Sequence, residues 1–251
     1  MSEPTEFPPL SPRPAGASEP IFNVPSVVLW LVGALALVYA LTSLLAPDTQ
    51  WGLLQLLSVV PARYNALFAG QLPEGAGTVV VLILPLFTYA LLHGSLLHLG
   101  FNAVWLVALG APIARRIGPV KFLEFFFLCS VLAVVFYIAV RLSSDAPIVG
   151  ASGGISGLMG GVGRLMFAPK SYDPMSKRVA PLLDRRVLTF AAILTVCNVV
   201  FALSDFGFAS DGQAIAWQAH VGGFFAGLVL YGLFDKGGPR NWPPLYRVPR
   251  D

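Results

Sequence analysis

The sequence predicts an all-α, polytopic membrane protein: six transmembrane helices packed as one bundle. Three observations predict it. Of the 251 residues, 56% are hydrophobic and 12% charged, against roughly 25% charged in an ordinary soluble domain, and the mean hydropathy is +0.73. The apolar residues gather in runs close to the ~20 that a helix needs to cross a bilayer. The basic residues, laid on the topology those runs define, fall almost entirely on one side of the membrane.

In chain order, residues 1–20 (MSEPTEFPPLSPRPAGASEP) are rich in proline and acidic residues, the composition of a disordered cytoplasmic tail. This stretch does not read as a signal peptide, because no basic region runs directly into an apolar core and no clear cleavage site follows. The membrane domain spans 21–236, with helices expected at about 25–46, 91–112, 121–141, 151–167, 187–204 and 214–234. The long connection from 47 to about 78, with Trp51, Pro61 and Pro73, is expected to lie partly in the interface. Segment 79–90 (VVVLILPLFTYA) is apolar but short and interrupted by Pro85. It reads as a re-entrant or interfacial piece leading into the second helix, with a seventh span as the alternative. Residues 237–251 form a second cytoplasmic tail.

Charge tests this topology. With the N-terminus inside, the cytoplasmic segments hold Arg13, Arg115, Arg116, Lys121, Arg164, Lys170, Lys177, Arg178 and six more basic residues further on, whereas the outer segments hold only Arg63 and Arg141; that is fourteen of the sixteen on one side. The positive-inside rule therefore selects six spans with both ends in the cytoplasm, and a seventh would spoil the alternation. The formal charge of +3 answers to the membrane surface and gives no reason to expect nucleic acid. Cys129 and Cys197 both lie inside apolar runs and read as small buried hydrophobes. No metal-ligand cluster is present, and neither metal nor cofactor is expected.

Polar side chains at membrane depth are expensive and are functional candidates by default. The few here are His93, His98, Asn102, Ser152, Ser156, Asn198 and His220. At 1.5 Å per residue, His98 and His220 lie roughly 10 Å below the outer ends of the second and sixth helices. Ser152 lies within a turn or two of the outer end of the fourth. Asn102 shares a face with His98, at i+4. A hydroxyl, two imidazoles and a carboxamide thus share one layer on three helices. A serine becomes a nucleophile when a histidine takes its proton, and the oxyanion formed in acyl transfer needs preorganised donors of the Asn, His and backbone N–H kind.

Residues 150–161, GASGGISGLMGG, hold six glycines, which are poor helix formers. Gly150 and Gly153 would let the backbone approach closely at a helix start, where free N–H groups point outward. Gly157, Gly160 and Gly161 would pack on a neighbouring helix, and Gly223 and Gly227 would form the matching groove beside His220. Taken singly, His93 reads as an interfacial histidine and Asn198 as a helix–helix hydrogen bonder. A soluble hydrolase with a G-x-S-x-G elbow, its serine followed by Asp205 or Asp211 and His220, would need strands around the serine, and six apolar spans exclude it. A transporter would place polar sites near the midplane and carry internal repeats; neither is visible.

HGSLLHLGFN on the second helix, RRIG after it, GASG opening the fourth and AHVGGFFAG on the sixth together resemble the rhomboid family of intramembrane serine proteases, from about Thr88 to Gly232. The resemblance implies a six-helix bacterial-type rhomboid bundle in the inner membrane, with its active site open to the outer side. It implies a Ser–His dyad, with Ser152 as nucleophile and His220 as base. His98, Asn102 and the Ser152 backbone N–H would form the oxyanion site, and transmembrane proteins would be the substrates. A lateral entrance beside the fifth helix would admit them. Two departures stand out. Ser156 replaces the aromatic residue that rhomboids often carry four places after the nucleophile, which bears on the orientation of His220. Ala114 replaces a glutamate in the turn after the second helix, which bears on the stability of that corner. A non-proteolytic rhomboid-like chaperone would normally lack the serine or the histidine.

Overall fold

The structure is a computed structural model that describes residues 24–73, 75–168, 179–203 and 216–235. Both terminal tails, Asp205 and Asp211, and the basic residues at 170, 177 and 178 lie outside the described residues. Ten α-helices follow one another among these residues: α1 Ser26–Ser43, α2 Pro47–Leu57, α3 Pro61–Phe68, α4 Ala76–Ile83, α5 Pro85–Thr88, α6 Leu96–Ile117, α7 Pro119–Val140, α8 Ser152–Met166, α9 Arg185–Leu203 and α10 Trp217–Phe234. Among the described residues extended pairing is confined to one isolated antiparallel bridge, Val59 with Ile148.

Among the described residues three helices are both long and apolar enough to cross a membrane: α1, α6 and α7. Two of the others depart for visible reasons: α8 has only 15 residues, and α10 carries Gln218 and His220 near its start. Large apolar side chains are exposed around the bundle, among them Trp30, Leu41, Val104, Val196 and Val229. They form the surface that an integral membrane protein turns to lipid.

The helix at 91–112 expected from hydropathy is displaced to Leu96–Ile117. Ser95, in extended conformation, caps its N-terminus by accepting a hydrogen bond from the His98 backbone N–H at 3.2 Å, which satisfies an otherwise free donor. Leu91 and Leu92 on one side and Leu96 and Leu97 on the other conceal this break from hydropathy. At the far end the helix runs through Pro112 and stops at Gly118, whose φ of +85° favours glycine. Pro119 then opens α7 at a position where no backbone donor is missed. Segment 76–91 is apolar and helical in pieces, broken at Leu84–Pro85.

The core sits where α8 is enclosed by α6, α7 and α10, around Leu106, Phe122, Phe125, Phe126, Leu158 and Tyr231. α1 packs on this core through Val28, Leu31 and Leu35. A smaller cluster, with Val187, Ala191, Phe224 and Leu228, holds the first half of α9 against α10. The Asp184 carboxylate accepts from the Arg186 backbone N–H at 2.8 Å and so caps α9. Its hydrogen bonds to Arg186 hold it well below the usual carboxylate range, at about 2.

Two basic residues at the C-terminal ends of α6 and α8 are internal ties. Arg164 is buried, donating to the carbonyls of Ala180 and, at 2.8 Å, Leu228, so it joins α8, the turn before α9, and α10. Arg116 pairs with the buried Asp235 at 2.9 Å. That pair ties the ends of α6 and α10 near the corner where Ala114 stands.

Candidate active site

The loop before α8 is fixed from two sides. Ile148 exchanges backbone hydrogen bonds with Val59 at 2.8 and 3.4 Å, and the Gly150 N–H donates to the Tyr89 carbonyl at 2.9 Å. The Tyr89 hydroxyl donates in turn to the Ser130 carbonyl on α7, at 2.6 Å. Gly150 has a φ of +120°, a conformation that side chains avoid. A Cβ there would also lie 2.7–2.8 Å from the His98 ring and 3.7 Å from Asn102 Nδ2. Glycine at this position therefore brings the His98 imidazole and the Asn102 carboxamide against the strand that leads directly into Ser152.

Ser152 is the first residue of α8 and His220 the fourth of α10. Ser152 Oγ and His220 Nε2 are hydrogen-bonded at 2.9 Å, across 68 residues of sequence. Glycine brings them together. A Cβ on Gly223 would overlap the Gly153 carbonyl oxygen, and one on Gly227 would overlap the Gly157 carbonyl. Gly160 meets the Phe224 carbonyl and Leu228 nitrogen in the same way. The two backbones touch over two turns, the close approach that small residues permit between membrane helices. Gly153 and Gly157 also face α7, at Ala133 and Cys129 respectively. Gly161 faces Tyr231, Ile113 and Phe125.

Asn102 is buried, and its Nδ2 donor has no hydrogen-bond partner among the described residues. Such a group is expensive unless something else fills the role, and a developing oxyanion beside Ser152 would fill it. The first N–H groups of α8 have no partner within the helix by their position in it.

His93 is buried within the protein, its ring packed edge-on to that of His98, 5.1 Å between centroids. Two expectations need correction. Cys129 is buried, but Cys197 is exposed on α9, because the C-terminal half of that helix has few neighbours among the described residues. His98 and His220 lie in the first turns of their helices, not about two turns down, because α6 begins at Leu96 and α10 at Trp217. Asn198 does bond another helix, as expected, but its partner is His220 itself: Asn198 Oδ1 lies 3.3 Å from His220 Nδ1. The available sequence signal was a lone carboxamide in an otherwise apolar span.

An apolar helical bundle holding a serine hydroxyl on a histidine nitrogen, with carboxamide and imidazole donors nearby, defines an integral membrane protein equipped as a serine hydrolase would be. A family model described as the Rhomboid domain matches residues 82–236. The chain belongs to the rhomboid family. It is 32% identical over 157 residues to the rhomboid protease GlpG of Pectobacterium atrosepticum, covering 61% of this chain and 50% of that protein. Against the rhomboid protease GlpG of Serratia proteamaculans it is 34% identical over 147 residues, covering 57% and 45%. The chain thus spans about half the length of the curated relatives it matches.

Proposed function

We propose that this protein is an intramembrane serine endopeptidase that cleaves transmembrane segments of other membrane proteins near the outer face of the membrane. The observation that carries this reading is the 2.9 Å bond between Ser152 Oγ and His220 Nε2. Ser152 is the nucleophile. His220 takes its proton as Oγ attacks the scissile carbonyl, then returns it to the leaving amine. His98, Asn102 and the Ser152 backbone N–H stabilise the oxyanion. Water, activated by His220, hydrolyses the acyl-enzyme. Membership of a family whose relatives are named as proteases supports the assignment.

The chain crosses the membrane six times, by α1, α6, α7, α8, α9 and α10, with both ends in the cytoplasm. The one-sided distribution of Lys and Arg supports this orientation. The depth follows from helix length. At 1.5 Å per residue the 15 residues of α8 rise only ~22 Å, against a hydrocarbon core of ~30 Å. With Arg164 at the cytoplasmic interface, Ser152 sits several ångströms below the outer surface, where water can still reach it. The family relationship suggests the bacterial inner membrane.

The test is labelling of the purified chain with a fluorophosphonate probe, alongside cleavage of a model membrane substrate. The parent is expected to label and cleave, whereas Ser152→Ala and His220→Ala do neither while inserting and purifying normally. Substantial cleavage by either variant would overturn the assignment.

A further inference from the structure

We propose that Asn198 on α9 is a positioning residue that sets the tautomer and ring orientation of His220. The proposal rests on the hydrolase reading above. Ser156, one turn below Ser152, has no ring to pack on the histidine, so the imidazole must be held by something else. A chain of three hydrogen bonds supplies it. Asn198 Nδ2 lies 3.4 Å from the Leu194 carbonyl, Asn198 Oδ1 lies 3.3 Å from His220 Nδ1, and His220 Nε2 lies 2.9 Å from Ser152 Oγ.

The direction of this chain is fixed at one end. A backbone carbonyl only accepts, so the carboxamide must turn its NH₂ toward Leu194 and its oxygen toward His220. That oxygen also only accepts, so His220 carries its proton on Nδ1. Nε2 is then left with a free lone pair, the one arrangement in which it can accept the Ser152 hydroxyl proton. A carboxamide flipped the other way would demand a proton on Nε2 and disarm the base. One main-chain carbonyl of α9 thus dictates the protonation pattern of a pair on two other helices. Leu194 itself packs in the cluster that anchors α9, so the carbonyl that starts the chain belongs to the best-held part of that helix.

The experiment uses the full chain in lipid bilayers, with Asn198→Leu, which removes the acceptor at similar volume, and Asn198→Asp, which keeps an acceptor. Solid-state ¹⁵N spectra of the labelled histidines, assigned by comparison with His220→Ala, read the tautomer directly. Phosphonate labelling and steady-state cleavage read the consequence. The parent should show His220 protonated on Nδ1. Asn198→Leu should lose that single tautomer and drop kcat by about 10- to 100-fold, the scale of a misaligned catalytic group, with KM little changed. Asn198→Asp should recover most of the loss, which separates positioning from a general packing defect. A parent with its proton on Nε2, an Asn198→Leu variant within about twofold of the parent rate, or an Asn198→Asp variant as slow as Asn198→Leu would each overturn the proposal. A parent that neither labels nor cleaves would overturn the hydrolase reading instead, and the tautomer spectra would still report whether the Asn198–His220 bond exists.

Discussion

Gly223→Ala adds one methyl group, and its consequence can be worked from the helix contact. Gly223 lies three residues after His220, on the side of α10 that touches α8. A Cβ there overlaps the Gly153 carbonyl oxygen, lies 3.0 Å from the Gly153 carbonyl carbon and 3.2 Å from the Ala133 Cβ. Ordinary Cβ contacts begin near 3.4 Å, so α10 must retreat from α8 by on the order of 1 Å, since packed cores are felt at the level of a single methylene. Neither neighbour can yield cheaply. The obstructing atom is main chain in the first turn of α8, and Gly154 on the opposite side of that turn is already closed against Phe126 and Ser130 of α7. The retreat stretches the bond between Ser152 and His220 from 2.9 Å to roughly 4 Å, beyond any hydrogen bond.

Two effects should follow together. Overpacking of this kind destabilises by about 1–3 kcal/mol, and misalignment of the base by about 1 Å lowers turnover by roughly 10²-fold. Thermal unfolding in detergent measures the first, and the rates of phosphonate labelling and substrate cleavage the second. Gly33→Ala on α1 is the control, because a Cβ there meets nothing within 4 Å. It should leave activity intact and stability equal or up to about 1 kcal/mol higher. A Gly223→Ala protein that labels at the parent rate and unfolds at the parent temperature would refute the claim that backbone contact sets the distance between serine and histidine.

Other expectations are shorter to state. His98→Ala and Asn102→Ala should each slow cleavage by about 10²–10³-fold without abolishing it, as loss of one oxyanion donor does; rates within about a factor of two of the parent would end that assignment. Asp235→Ala removes a fully buried carboxylate from its 2.9 Å pair with the partly exposed Arg116 side chain. It should cost about 1–3 kcal/mol in unfolding experiments, while the labelling rate per folded molecule stays that of the parent. In a model substrate span, a glycine-containing segment near the outer end should promote cleavage and leucine replacement should protect, because a helical peptide bond must unwind before its carbonyl can be attacked. Mass-spectrometric mapping of the cut while the segment is moved turn by turn tests this, and equal cleavage at the cytoplasmic end would contradict it.

The features legible in the sequence were those set by local composition. The apolar runs of α1 and α7 gave their own limits to within a few residues, and the glycine spacing of α8 and α10 announced a contact face before either helix was located. The depth-matched polar residues named Ser152, His220, His98 and Asn102 as one group, and the structure brings Ser152 onto His220 and puts the other two beside Gly150. What stayed hidden was set by one hydrogen bond against a uniform apolar background. The start of α6 depends on the Ser95 hydroxyl, which hydropathy does not register. Arg164 counted as a surface charge because only the packed turn at Ala180 reveals the carbonyls it serves. The support behind Gly150 needs Tyr89 and Val59 to come alongside residues 148–150, a pairing that no periodicity encodes. Asn198 was visible as a polar residue, but its partner lies 22 positions onward and on another helix.

Distance, depth and proton position at this site are controlled by different residues. Gly223 and Gly227 set how near α10 comes to α8, and so the separation of Oγ from Nε2. In the proposed topology, the length of α8 and the anchoring of Arg164 set how far Ser152 lies from the outer surface, and so its access to water. Asn198 and the Leu194 carbonyl set which imidazole nitrogen is free. Each variable answers to a different substitution and a different observable: helix contact to stability, depth to the position of the cut in a substrate span, tautomer to the histidine spectrum. A serine in a lipid-embedded bundle needs all three at once, because hydrocarbon offers no solvent to correct a misplaced proton or to bridge a stretched hydrogen bond. A site in water tolerates slack in any one of them. That difference accounts for a glycine-rich helix whose backbone, not its side chains, makes the contact, and for a carboxamide placed in an otherwise apolar span.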